Sequence, residues 1–137
     1  MNEVTIHIEK REELTQFLSM HDFVVEEIDD NVYRIQREDE LPVYVSISET
    51  NMYFEVDLGN VSSYASTEFY FKLLDLNTEI LPVSFGFNNT NPDDPRLVLV
   101  ESRDSGYLND HELLGVFDAL ELAADRASEL LTEIINN

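Results

Sequence analysis

Residues 109–135 read NDHELLGVFDALELAADRASELLTEII, and the spacing of their apolar positions decides the fold. Leu113, Phe117, Leu120, Ala124, Ala127, Leu131 and Ile134 lie 4, 3, 4, 3, 4 and 3 residues apart. An α-helix turns once in about 3.6 residues, so this spacing keeps one stripe of a long helix apolar. Asn109 is placed to cap its first turn, with Glu112 three residues later able to reach back to the cap. Leu114, Ala123 and Leu130 widen the stripe beyond the narrow seam of a two-stranded coiled coil. Docking on a sheet is therefore expected, with Leu120 and Leu131 both buried against it.

The sheet is legible upstream. Val83, Phe85 and Phe87 alternate with Ser84, Gly86 and Asn88, a polar loop runs from Asn88 to Pro95, and Leu97 to Val100 is a compact apolar run. These predict a hairpin with a long loop. Before it, Phe69, Leu73, Leu76 and Ile80 recur at steps of three and four, which predicts a helix starting near Ser63, and Pro82 blocks its continuation. Val43, Val45 and Ile47 share one face against Tyr44, Ser46 and Ser48. Met52, Phe54, Val56 and Leu58 repeat the pattern after Glu49-Thr50-Asn51. That is a tight antiparallel hairpin with one wet face. Phe23 to Glu26 and Val32 to Gln36 also alternate, on either side of an Asp29-Asp30-Asn31 turn. Leu14, Phe17, Leu18 and His21, behind Glu12 and Glu13, predict a first helix over about residues 10 to 20. The expected order is helix, three strands, helix, two strands, helix. It makes a single α+β domain over residues 1–137, with a five-stranded, mainly antiparallel sheet covered on one face by helices.

Composition limits what such a domain does. At 137 residues it can enclose one core without staples, and 43% hydrophobic residues suit a globular chain. With no cysteine there is no disulfide scaffold, thiolate metal site or cysteine nucleophile, which fits a reducing cytoplasm. The stretch from Met1 to Glu9 has neither a basic nor an apolar signal region, and no apolar run approaches the ~20 residues of a membrane span. A cytoplasmic protein without membrane insertion is expected. The net charge of -21, from 29 acidic and 8 basic residues, opposes direct contact with nucleic acid. The same charge admits an alternative, an acidic DNA mimic that occupies a nucleic-acid-binding protein.

No catalytic constellation is present. His7, His21 and His111 are the only imidazoles, and none stands in a motif with a nucleophile. His7 is expected on an edge segment, His21 at a helix end and His111 in the first turn of the last helix. The loop from Asn88 to Pro95 offers oxygen ligands but lacks the EF-hand order and its distal Glu. Neither metal nor cofactor is expected. The aromatic group Tyr64, Phe69, Tyr70 and Phe71 is more informative. Consecutive helical residues point about 100° apart, so residues 69, 70 and 71 cannot all bury against one sheet. At least one should stay exposed or meet a second chain.

Leu81-Pro82-Val83-Ser84-Phe85-Gly86-Phe87, then Arg96-Leu97-Val98-Leu99-Val100 and an amphipathic helix from Asp110, resemble the uncharacterised YjfI group of bacterial proteins, linked to phage-shock membrane-stress operons. This likeness covers about residues 73 to 131. Over about residues 10 to 135 the element order is similar to the type III secretion chaperone-like fold, including the Tir chaperones and the YbjN regulators. The resemblance implies a non-enzymatic, chaperone-like adaptor, commonly dimeric, that presents a sheet or groove to an extended segment of another protein. Phe69, Tyr70, Phe71, Leu81 and Phe85 are the candidate protein-binding residues, and a homodimer is expected to use them. Locally, Pro82 would end the helix, and Gly86 would admit a close neighbouring backbone or a bend.

Overall fold

The structure is a computed structural model that describes residues 11–104 and 108–136, with the side chains of residues 11 and 12 excepted. The reading of His7 as an edge residue lies outside the described residues. Helix α1 covers Arg11–Met20, and strands β1 to β4 cover Phe23–Asp29, Val32–Arg37, Val43–Ile47 and Asn51–Gly59. A 3₁₀ turn at Ser62–Tyr64 precedes helix α2, Thr67–Asn77. Strands β5, Ser84–Asn88, and β6, Arg96–Asp104, lead to helix α3, Asp110–Ile135.

Among the described residues six strands form one antiparallel sheet in the order β1-β2-β3-β4-β6-β5. The expectation of five strands is corrected to six. The two runs flanking Asp29-Asp30-Asn31 are separate strands, reversed through Asn31 at φ 61°. Asn tolerates this left-handed conformation better than most residues, because its short polar side chain can bond locally. Asp22, φ 69°, and Asp39, φ 63°, make the corners between α1 and β1 and between β2 and β3 in the same way. Strand β6 outruns the apolar stretch that announced it, continuing through Glu101 to Asp104, because it pairs along the whole of β4. Gly59, φ 105°, sits at the bulge that ends that pairing.

Alternation then sorts the strands into two faces. Tyr33 and Ile35, Val43, Val45 and Ile47, Met52, Phe54 and Val56, and Leu97 and Leu99 all point beneath the helices and are buried. The opposite face carries Arg34, Ser46, Glu55, Asp57 and Ser102. Leu14 and Leu18 of α1, Phe69, Leu73 and Leu76 of α2, and Leu113, Val116, Phe117 and Leu120 of α3 close the core from above. Phe117 packs against Phe23 at 4.7 Å and meets Phe54 edge-on at 5.8 Å, joining α3 to both halves of the sheet.

The caps explain where the helices begin. Ser66, not Ser63, caps α2 by accepting the Phe69 N–H at 3.0 Å. Asn109 accepts the Glu112 N–H at 2.7 Å. Helix α2 closes at Asn77, five residues short of Pro82, so Pro82 bars the turn that follows and does not itself end the helix. Leu120 is buried as expected, but Leu131 is only half-buried while its neighbour Leu130 faces the core. Successive helical residues point about 100° apart, and a sheet twists beneath a straight helix, so the face that meets the sheet drifts around the axis. By the last third of α3, Ala127 and Leu130 carry it.

Candidate protein-binding surface

The five residues singled out from the sequence divide between core and surface. Phe69 is 0% exposed, and its assignment to a binding surface is corrected: capped by Ser66, the first turn of α2 aims it into the core. Phe85 is half-buried on β5 and packs against the same core. Tyr70, Phe71 and Leu81 do reach the surface, at 42%, 69% and 70% exposure. Helical geometry gives this division, since three consecutive residues span more than half a turn and only one can face the sheet.

Further apolar residues join them without having been singled out. Leu74 stands three residues from Phe71 on α2, Phe87 is half-exposed on edge strand β5, and Leu122 projects from α3. Phe87 could have been found, because alternation places it on the same face as Phe85 at a position the helices do not fully cover. Leu122 falls off the spacing of the buried stripe, and an apolar residue outside the stripe is the signal for it. Tyr70 and Phe87 meet edge-to-face, their rings 5.9 Å apart, so α2 and β5 present a joined aromatic surface.

Between the turn after α2 and helix α3 runs a groove of about 450 Å³, with Ile80, Leu81, Ala119, Leu122 and Ala123 as its apolar walls. Arg126 reaches from α3 to Glu79 at 3.2 Å and ties its rim. Lys72 of α2 similarly stands 3.4 Å from Glu133 of α3. Of the two roles expected of Gly86, a close neighbouring backbone is not found. A methyl group there would meet Val98 at 3.8 Å, an ordinary contact, so no close approach requires glycine.

Among the described residues the ionisable groups form ties between elements. Glu101 is the buried carboxylate among the described residues; burial raises its pKa, opposed by Arg103 at 3.2 Å. Arg103 continues to Glu112 on α3 at 3.2 Å, so this is a strand-to-helix tie. His21 stacks on Phe17 at 4.6 Å, and His111 is exposed in the first turn of α3. Among the described residues no group of three or more His, Asp or Glu side chains is arranged to hold a metal ion, and no helix is long and apolar enough to cross a membrane.

No curated protein matches the chain. Among solved structures, a chain of the heterodimeric complex ExoU-SpcU from the type III secretion system of Pseudomonas aeruginosa is similar, with a TM-score of 0.68 and 22% identity over 85% of this chain and 96% of that one. YbjN from E. coli, a putative transcription regulator by its description, gives a TM-score of 0.61 with 14% identity over 95% of this chain and 91% of its own. An uncharacterised protein from Methanothermobacter thermautotrophicus gives 0.64 with 12% identity, covering 92% of this chain and 96% of that one. These likenesses establish a shared fold. The family CesT_Tir_1 matches residues 7–137, nearly the whole chain, and the protein therefore belongs to this type III secretion chaperone family.

Proposed function

We propose that the protein is a non-enzymatic, chaperone-like binding protein that holds a segment of another protein in the bacterial cytoplasm, in a secretion or membrane-stress setting. The observation that carries this reading is the set of large apolar side chains left exposed on α2, the following turn and β5: Tyr70, Phe71, Leu74, Leu81 and Phe87. Scattered exposed apolar residues are ordinary, but a concentration on adjoining elements marks an interaction surface. Family membership supports the same reading over the acidic DNA mimic, and the ExoU-SpcU neighbour is itself part of a complex of two different chains.

The surface serves a homodimer in this proposal, with Tyr70, Phe71, Leu81 and Phe85 at the contact. A two-fold contact is the commonest oligomer geometry, and aromatic residues are enriched in such interfaces. Each chain carries -21, so like charge opposes the pairing and apolar contact must outweigh it. Screening therefore strengthens the dimer as salt rises from low to moderate concentration. Sedimentation at both ionic strengths, for the wild type and for Tyr70→Asp and Phe71→Asp, tests the assignment. The expected result is a wild-type dimer favoured by salt and monomeric, folded variants. A wild type that stays monomeric at high micromolar concentration overturns the dimer. Pull-down from the native host then asks whether a stoichiometric partner protein is still bound; failure to find one overturns the binding role.

A further inference from the structure

Helix α3 has a second concavity on the side away from the Leu81 groove. The turn between β2 and β3 faces the middle of α3 there across a hollow of about 290 Å³. Its floor is apolar, made by Val43, Val56, Phe117 and Leu120, all of them buried. Leu41, 48% exposed, leaves one wall apolar and open to solvent. The charged residues of the rim are all acidic, Asp39 and Glu40 on the turn and Glu121 and Asp125 on the helix, with Ala124 and Ser128 completing it.

One cation serves this rim among the described residues. Arg37 lies with its guanidinium 4.8 Å above the Phe23 ring, bonds Glu40, and stands 3.0 Å from Asp118 and 3.6 Å from Glu121. One guanidinium thus faces three carboxylates. Asp39 and Asp125 form no ion pair among the described residues, and Asp125 adds its own repulsion to Glu121. Glu121 and Glu40 stand close enough to share a hydrogen bond, which two ionised carboxylates cannot form. A proton shared between those two carboxylates, together with the Arg37 guanidinium, reduces their charge, so Asp39 and Asp125 carry the unpaired negative charge beside the apolar floor.

Size and charge together limit the occupant. A hollow of about 290 Å³ is at or below the small end of the ~300–1,000 Å³ that drug-sized ligands need, which suits a single side chain. Its apolar floor would cover an aliphatic stem, and its acidic rim would meet a cationic head. Lysine and arginine are built this way, with an apolar stem that buries and a charged end that stays at the surface. We propose that this hollow is an anchor pocket for one arginine or lysine side chain of a bound protein segment, the stem over Leu41 and Leu120 and the head between Asp39 and Asp125. Neither Tyr70, Phe71 nor Leu81 lines this hollow, and it shares only Asp125 with the Leu81 groove, so the Phe71→Asp control separates it from the dimer.

The test uses the full-length protein, isotope-labelled, titrated with a capped peptide of alternating leucine and serine carrying one central arginine. The same peptide with citrulline, a neutral isostere, is the control. Saturable amide shifts are expected at residues 39–43, 121, 124, 125 and 128, with the arginine peptide bound about fivefold more tightly than the citrulline peptide at low salt and that preference shrinking as salt screens the solvent-exposed charges. Asp39→Asn with Asp125→Asn should remove that preference while leaving the spectrum otherwise folded, since Asn tolerates the positive φ at position 39. Phe71→Asp should leave it intact. Equal binding of the two peptides, shifts confined to α2 and β5, or no saturation at millimolar peptide would each overturn the pocket.

Discussion

Replacing Leu120 and Leu131 by alanine, one at a time, tests how α3 meets the sheet. Both lie on the apolar stripe, yet Leu120 is 1% exposed over the sheet and Leu131 is half-buried at its edge. Leu→Ala removes three carbons, worth about 2.4 kcal/mol at ~0.8 kcal/mol for each buried methylene. A rigid cavity would add up to about another 2 kcal/mol where the surroundings do not relax. Leu120 lines the floor of the hollow beside the β2–β3 turn, which is open to solvent, so its surroundings, such as exposed Leu41, can settle into the space and the cavity penalty is small. Leu120→Ala should therefore cost about 2.5–3.5 kcal/mol. Leu131→Ala removes atoms already partly hydrated and should cost on the order of 1 kcal/mol. Equilibrium urea unfolding measures both, the shift in midpoint at unchanged slope giving the difference. Equal losses, or a Leu120→Ala loss below 1 kcal/mol, would refute the rotation of the buried face along α3.

Two pH effects follow from the carboxylates. Glu121 is pushed up to about 7, chiefly by its hydrogen bond to Glu40, with burial and the Glu40 charge adding. Between its ordinary value near 4.5 and 7 the folded chain holds more protons than the unfolded chain, so this group's contribution to stability falls as pH rises through that window. Glu121→Gln should flatten the thermal midpoint over the same window, and an unchanged profile would sink the assignment. Glu40 moves the opposite way, because the bonds from Arg37 and Glu121 outweigh its burial, so its contribution is lost only at more acid pH. Glu101, raised by burial, has the same sign as Glu121. Arg103→Met strips its partner and should lower stability at neutral pH by about 1–3 kcal/mol, measured by urea midpoint; Glu101→Gln in the same background should recover part of the loss.

Most of the fold was legible because each buried surface repeats at the period of its own element. The α3 spacing, the 43–58 hairpin and the Phe69–Leu76 helix all followed from that rule and are present. The extra strand was missed in the count for a local reason. The turn at Asp29-Asp30-Asn31 and the alternating runs on either side of it are legible, but runs as short as these are totalled with the 43–58 hairpin as three strands where the structure has four. The polar end of β6 was illegible because pairing with β4, and not apolar alternation, holds it. Leu131 failed because a stripe drawn with one fixed spacing cannot follow the turning of a sheet beneath it.

The candidate surface was harder to read, since exposure is a tertiary property. Sequence could establish that Phe69, Tyr70 and Phe71 diverge, but only the Ser66 cap and the packing of α2 decide that Phe69 is the one buried. Leu81 and Leu122 lie 41 residues apart in the chain and line the same groove. No local period relates them.

Charge is where composition and structure combine to select a partner. The described cationic side chains are Arg34, Arg37, Lys72, Arg96, Arg103 and Arg126, and all but Arg34 form ion pairs that join separate elements. Surface pairs of this kind add little stability, typically ~0–1 kcal/mol each. Their effect on recognition is larger, because they occupy most of the few positive charges and leave the remaining surface dominated by carboxylates. A nucleic acid or an acidic protein approaching such a surface meets net repulsion. In the proposed reading an apolar contact on Tyr70, Phe71 and Leu81 gains little electrostatically, whereas a segment that places one cation in the separate hollow beside the β2–β3 turn gains Asp39 and Asp125. Exposed acidity thus rejects most partners by default, and the apolar openings decide which of the remainder can bind.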